Sequence, residues 1–263
     1  MKSIWLHIKK TDYTCEKCGS PLYQHKLNDS VLTCMECGRK RLDDKDKEIE
    51  YRGGELAEKQ GTYDALMKRS IVTDQTIRKA SFDNYKTEEQ ETAQNKEKAQ
   101  QIANEYLAGN VFNAFLQGKQ GTGKSHLAMS ILKEINENSY PYKRCVFVDF
   151  PSLMIEVSDW KNPNNYSQTD AVKLMSDADF LVIDDLGAET NEASKAKEYI
   201  YKTLQAVMQN RQNKSTIFTS NVSSAVIGQV YGDRLTSRIL RGVAGHSIIF
   251  KDATDKRRLG IGF

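Results

Sequence analysis

The chain has 263 residues, 39% of them apolar and 28% charged, with a formal net charge of +3. That length allows one core of ordinary size and a small appendage, and no apolar run approaches the ~20 residues needed to cross a bilayer. The opening residues are too few and too interrupted for a signal peptide, so the composition predicts a soluble, cytoplasmic, globular protein whose cysteines stay reduced. The net charge implies no partner by itself, although from Gly232 onward seven Arg or Lys stand against three Asp.

Four of the five cysteines come first. Cys15-x2-Cys18 and Cys34-x2-Cys37 are fifteen residues apart, a spacing suited to two zinc knuckles. Gly19 and Gly38 follow the two pairs and are expected to permit the tight turns that aim thiolates at one ion. Four thiolates make a closed tetrahedral site, so a structural Zn²⁺ is expected, with metal binding supplying the folding free energy of a short segment. A disulfide pair or a redox C-x-x-C is the competing reading. His25 lies between the pairs, as a surface histidine or as a substitute for one Cys. Cys145 heads an apolar strand and reads as an inert core thiol. Residues 1–40 are therefore expected to form a zinc-binding module. Residues 41–70 alternate charges densely, as in a solvated helix or linker, with a break at Gly53-Gly54.

Residues 71–263 are expected to form the larger domain. Residues 80–85 read as a loop. Residues 88–108 read as a helix with Ala99, Ile102, Ala103, Tyr106 and Leu107 on one face, ended by Gly109-Asn110. Residues 111–116 read as a buried strand, and residues 126–132 place apolar side chains at helical spacing. Between them, Gly118-Lys119-Gln120-Gly121-Thr122-Gly123-Lys124-Ser125 fits the phosphate-binding pattern G-x-x-x-x-G-K-[ST]. The glycines let backbone N–H groups turn inward around phosphate oxygens, and the following helix N-terminus adds partial positive charge. Lys124 is expected to reach the β- and γ-phosphates of ATP and Ser125 to ligate Mg²⁺. Gly118, Gly121, Thr122, Gly123 and His126 complete the expected nucleotide-binding loop.

Further strands are predicted at residues 146–150, 215–219 and 247–250, and helices at 152–157, 171–175 and 193–209. Residues 162–165 read as a surface loop. Residues 180–183 form an apolar strand ending in Asp184-Asp185, 59 residues after Ser125. Asp184 is expected to hold the Mg²⁺, directly or through water, and Asp185 to polarise the attacking water. Asn221, closing the next strand, would sit beside the γ-phosphate. Arg234 and Arg238 are four apart and share one helix face. In a ring or spiral of protomers, one of them would reach the neighbour's ATP. Five short strands separated by helices imply a parallel five-stranded sheet covered on both faces, an α/β fold.

Taken together, Gly-x-x-Gly-Thr-Gly-Lys-Ser-His-Leu-Ala, Leu-Val-Ile-Asp-Asp-Leu-Gly-Ala-Glu, Thr-Ser-Asn and Arg-Leu-Thr-Ser-Arg-Ile resemble AAA+ ATPases of the DnaC/DnaI helicase-loader type. The resemblance covers roughly residues 71–258, with residues 184–189 its most specific part. Residues 80–85 are similar to the segment that opens this domain in phage and Gram-positive members. By position the resemblance implies Lys124 and Ser125 as Walker A, Asp184 and Asp185 as Walker B, and Asn221 as sensor 1. It also implies Arg238 as arginine finger with Arg234 as companion, and Arg257 or Arg258 near a sensor 2 position. The implied activity is ATP hydrolysis with Mg²⁺. It would drive loading of a ring-shaped replicative helicase onto single-stranded DNA by protomers self-associated in a ring or spiral. The N-terminal zinc module, similar to that of the DnaI branch, would grip the hexameric helicase. Lys143, Arg144 and Lys161 are candidates for the single-strand contact. Glu189 is the alternative to Asp185 as catalytic carboxylate. Only five residues follow Arg258, which speaks against the lid and duplex-DNA domain of a DnaA-type initiator. An IstB-type transposition accessory ATPase is the alternative function, and a nucleotide-gated adaptor without turnover a third.

Overall fold

A computed structural model describes residues 8–25, 28–188 and 196–251. The chain divides into two compact units, Met1–Lys59 and Gln60–Phe263. Among the described residues, no helix is long and apolar enough to cross a membrane.

The first unit begins with three antiparallel strands in sequential order, β1 (Ile8–Thr14), β2 (Pro21–His25) and β3 (Asn28–Cys34). Helix α1 (Met35–Asp64) starts directly after Cys34, and the division between the units falls within its last turns. It runs through Gly53 and Gly54, so the expected break there does not occur. A glycine costs ~1 kcal/mol of helix propensity but forbids no helical dihedral. Flanking pairs such as Arg52 with Glu48, at 2.7 Å, offset part of that cost. Gly38 is likewise helical rather than in a turn, whereas Gly19 takes the expected left-handed conformation at φ 71°. The helix buries none of its side chains, and Leu42, Ile49 and Leu56 stand exposed along it at seven-residue intervals.

The second unit is built around a parallel sheet. Its elements in chain order are α2 (Gln90–Leu107), β4 (Ala114–Gly118), α3 (Lys124–Asn138), β5 (Cys145–Asp149), α4 (Phe150–Ser158) and α5 (Gln168–Asp177). Then follow β6 (Phe180–Asp184), α6 (Glu198–Asn210), β7 (Ser215–Ser220), α7 (Ser224–Ile239) and β8 (Ser247–Phe250). The strands lie in the order β5-β6-β7-β4-β8, and every pairing is parallel. Alternation along the strands divides the core in two. Phe147, Val182 and Ile217 face α2 and α3, where Ala99, Ala103, Leu127 and Ile131 cover them. Val148, Ile183 and Phe218 face the other way, against Leu153, Met175, Leu204 and Ile227 of α4 to α7.

Two boundaries differ from expectation for identifiable reasons. The strand expected over residues 111–116 is β4, which begins only at Ala114. The buried Asn113 side chain donates to the carbonyls of Arg238 (2.9 Å) and Ile239 (3.0 Å) and accepts from Thr216 N–H (3.1 Å). Val111 is exposed. Phe150, expected at a strand end, instead opens α4, because Asp149 Oδ1 accepts the Ser152 N–H as a helix cap (3.1 Å). Of the helix expected over residues 193–209, residues 193–195 lie outside the described residues, and the described part starts at Glu198.

The N-terminal ends of the strands are held by a buried cation. Arg211 is 1% exposed. Its guanidinium donates to Thr216 Oγ1 (3.0 Å) and to the carbonyls of Met175 (3.0 Å), Ala178 (2.6 Å), Asp179 (3.3 Å) and Ser215 (2.5 Å). Burial lowers its pKa to about 10, which leaves it charged at neutral pH. Lys214 Nζ donates to Ser176 and Ala178 carbonyls at 2.8 and 3.1 Å. Arg211→Ala removes every donor of the guanidinium and opens a hole, and should cost about 3 kcal/mol or more in urea unfolding. Arg211→Lys should recover only part of that, because one ammonium cannot span the same acceptors.

Candidate nucleotide site and candidate metal centre

β4 runs between β7 and β8, so the loop that leaves it emerges at the C-terminal edge of the sheet, where open α/β sheets bind ligands. Packing at both ends of the loop demands glycine. A Cβ on Gly118 would lie 2.6 Å from Phe250 Cβ. On Gly123, at φ 101°, it would lie 2.9 Å from the Tyr85 ring. Thr122 Oγ1 donates to the Lys119 carbonyl (2.9 Å) and closes the loop on itself.

Lys124, the first residue of α3, is buried. Its ammonium donates to the Lys119 carbonyl (2.7 Å) and to Asn221 Oδ1 (2.8 Å), and Asn221 Nδ2 donates to Asp185 Oδ1 (3.2 Å). An ammonium can only donate and a carboxylate only accept, so chemistry decides which way the amide points. Lysine, asparagine and aspartate, distant in sequence, thus form one chain across the ends of α3, β7 and β6. Asp184 lies deeper. Burial, then the charge of Asp185, pushes its carboxyl up to about 7, while hydrogen bonds from Thr219 and Ser125 pull the other way. Asp185 itself has φ 54°, a left-handed conformation uncommon outside glycine.

The cleft in front of this chain has a volume of about 490 Å³ and is lined by Gly121, Gly123, Lys124, Ser125, His126, Asp185 and Asn221 on one side. Asp74, Ile77, Asn84 and Tyr85 line the other. A cleft of this size suits a nucleotide, and a glycine loop, a buried ammonium and two carboxylates suit a magnesium–phosphate ligand. His126 Nε2 lies 2.9 Å from the Ser81 carbonyl, and its ring meets Tyr85 edge-on at 5.2 Å. Asn84 and Tyr85, at the end of the run read as a loop, therefore line the cleft. Nothing in the run Ala-Ser-Phe-Asp-Asn-Tyr signals what Tyr85 packs against.

The remaining candidates lie elsewhere. Neither Arg234 nor Arg238 lines the cleft. Both follow a kink in α7 at Gly232, where φ is 73°. Arg234 is exposed, and Arg238 is half-buried, with an Nη1 that has no hydrogen-bond partner among the described residues. Lys143 is half-buried, Arg144 and Lys161 are exposed, and Lys161 Nζ lies 5.7 Å from the Trp160 ring centre. Glu189, Arg257 and Arg258 lie outside the described residues, as does the side chain of His25.

The four N-terminal cysteines come together. Cys15 and Cys18 sit in the turn between β1 and β2, Cys34 ends β3, and Cys37 lies in the first turn of α1. The turn is closed by Gly19 N–H to the Cys15 carbonyl and Cys15 N–H to the Ser20 carbonyl, both 2.8 Å. All four sulfurs lie within 4.8 Å of one another. The Sγ separations are 3.8 Å for Cys15–Cys37 and 3.4 Å for both Cys18–Cys34 and Cys18–Cys37. Sulfurs at ~2.3 Å from a tetrahedral zinc lie ~3.8 Å apart, whereas a disulfide needs ~2.05 Å. The cluster is consistent with a Cys₄ zinc site, and the cysteines are free thiols rather than disulfides.

Residues 77–246 match the sequence profile of the bacterial DnaA ATPase domain. The chain belongs to that family. Among curated relatives, the replicative helicase loader DnaC of Escherichia coli K12 is 26% identical over 162 residues, 62% of this chain and 63% of the loader's own length. The crystal structure of the DnaC helicase loader superposes with a TM-score of 0.54 at 22% identity, covering 67% of this chain and 99% of that one. The crystal structure of DnaI does so with 0.54 at 20% identity, covering 69% and 96%. At these identities the structural matches establish a shared fold, an α/β core. Homology to DnaC-type loaders and to the DnaA ATPase domain thus agrees with the motifs from which the resemblance was drawn.

Two measurements test the site chemistry. Metal-free protein takes up a proton at Asp184 as pH falls through about 7, whereas an unfolded Asp does so near 3.8. The native state therefore binds the extra proton in that window, and its stability falls as pH rises across it. Asp184→Asn should be more stable than wild type above pH about 7 without Mg²⁺, the difference vanishing below pH 3.8. For the cysteine cluster, Cys34→Ser should release about one zinc per chain and unfold the first unit while the second keeps its melting transition. Metal analysis with circular dichroism reads both.

Proposed function

We propose that this protein is a cytoplasmic, Mg²⁺-dependent ATPase that loads a ring-shaped replicative helicase onto single-stranded DNA. The observation that carries the reading is the Lys124–Asn221–Asp185 chain at the back of a glycine-walled cleft. It joins a phosphate-binding cation to a carboxylate base, on a core homologous to a replicative helicase loader.

In this reading Lys124 and the backbone of residues 118–123 hold the β- and γ-phosphates, and Ser125 and Asp184 hold Mg²⁺. Bound Mg²⁺ and ATP supply a polarised γ-phosphoryl group. Asp185 accepts the proton of the attacking water, and Asn221 keeps that carboxylate aimed while answering to whatever Lys124 binds. Arg238, outside its own cleft, serves the cleft of a neighbour in a ring or spiral. Residues 1–40 act as the zinc module that contacts the hexameric helicase, 41–70 as the connection, and 71–263 as the ATPase domain. The exposed Leu42, Ile49 and Leu56 support a contact surface near the module. Lys143, Arg144 and Lys161, with Trp160 beside the last, are the basic and stacking groups offered to single-stranded DNA.

Co-purification with the hexameric helicase in ATP and in ADP tests the function. Capture should depend on the nucleotide, disappear in Lys124→Ala, and weaken in Ile49→Asp. Turnover should be lost in Arg238→Ala and in Lys124→Ala separately, and partly recovered when the two proteins are mixed, because each retains the half-site the other lacks. Capture of a transposase in place of a helicase would replace this reading with the transposition one.

A further inference from the structure

Thr219 is the fifth residue of β7 and is fully buried. The ladder between β6 and β7 ends at the pair Ile183–Phe218, one residue short of the carboxylates. Beyond that point side chains take over from the ladder. The Thr219 hydroxyl donates to Asp184 Oδ1 at 2.6 Å and accepts the Asp185 N–H at 2.9 Å. A hydroxyl has a single proton. Once it points at Asp184, only lone pairs remain for Asp185, so the directions of the two bonds are coupled. The Thr219 carbonyl accepts the Leu186 N–H at 2.9 Å, and the Ser220 hydroxyl donates to the Leu186 carbonyl at 2.7 Å. Two consecutive residues of β7 thereby pin three consecutive residues that follow the apolar run of β6. The middle one, Asp185, holds a left-handed backbone that persists only where its surroundings over-determine it.

We propose that Thr219 is a positioning residue for hydrolysis: one hydroxyl orients the metal-binding oxygen of Asp184 and holds the turn that brings the Asp185 carboxylate to Asn221. The inference rests on the ATPase reading, in which Asp184 holds Mg²⁺ and Asp185 activates water. A threonine that only filled space would be replaced by valine, which has nearly the same shape, without changing how the protein uses Mg²⁺. A threonine that aims the carboxylate would not.

The test compares wild type, Thr219→Val and Thr219→Ser in the full chain. Three quantities are read: hydrolysis against Mg²⁺ concentration, nucleotide binding with and without Mg²⁺, and thermal melting. Thr219→Val should lower kcat by ~10²-fold, the effect of a small misplacement of a reacting group. Its Mg²⁺ midpoint should rise about tenfold or more, as when a group behind a metal ligand is removed. Nucleotide affinity in EDTA should stay at the wild-type value, and Thr219→Ser should restore rate and midpoint. If Thr219→Val does not fold, Thr219→Ala against Thr219→Ser makes the same comparison with a smaller side chain. A folded Thr219→Val with wild-type rate and Mg²⁺ midpoint overturns the inference, and so does a loss that serine leaves unrepaired in a folded protein. Wild-type protein without Mg²⁺-dependent turnover would instead defeat the ATPase reading, and the Mg²⁺ dependence of nucleotide binding would then decide the role of Thr219.

Discussion

Two adjacent carboxylates sit at the C-terminal end of a parallel sheet, one of them buried, and much of the second unit answers to that fact. Asp184 is 7% exposed with Asp185 next to it. Burial and like charge both disfavour ionisation there, which is why its carboxyl titrates near 7 rather than near 3.8. The surrounding groups are those that compensate: hydroxyls of Thr219 and Ser125 on Asp184, and the Asn221 amide on Asp185. The Asn221 amide joins the Lys124 ammonium to the Asp185 carboxylate.

The opposite end of the same strands has the reverse character. There Arg211 and Lys214 donate to carbonyls between α5 and β6 and at the start of β7. The N-terminal ends are tied by satisfied hydrogen bonds, and the C-terminal ends keep polar groups in costly environments that a ligand can relieve. Neutralising Asp184 is therefore expected to stabilise the protein and weaken the site.

The first unit follows a different rule. Its long helix buries no side chain and contains Gly38, Gly53 and Gly54 within this unit, so neither packing nor propensity holds it strongly. The four thiols at the junction of strands and helix are the concentrated interaction available there. A metal ion binding all four would join β1, β2, β3 and α1 at one point, which is the role a hydrophobic core plays in the second unit.

Much of this was legible in the sequence because it rests on local pattern. The glycine loop, the apolar run ending in Asp184-Asp185 and the two C-x-x-C pairs each place their chemistry within a few residues, where spacing alone constrains geometry. The five-stranded parallel sheet followed from buried strands alternating with helices. Tertiary structure decided what depends on partners far along the chain. Asn113 shortens a strand because its amide bonds to the end of α7 and to β7. Tyr85 walls the cleft because Gly123 leaves room for its ring. Arg211 looks in sequence like any surface arginine ending a helix, and it is buried because five acceptors converge on it. Thr219 reads as an ordinary strand residue, and only the register of β7 beside β6 sets its hydroxyl against the Asp184 carboxylate and the Asp185 N–H. Residue type and spacing determine which groups can do chemistry. Which groups aim them is decided by hydrogen bonds between strands and helices that the chain brings together only on folding.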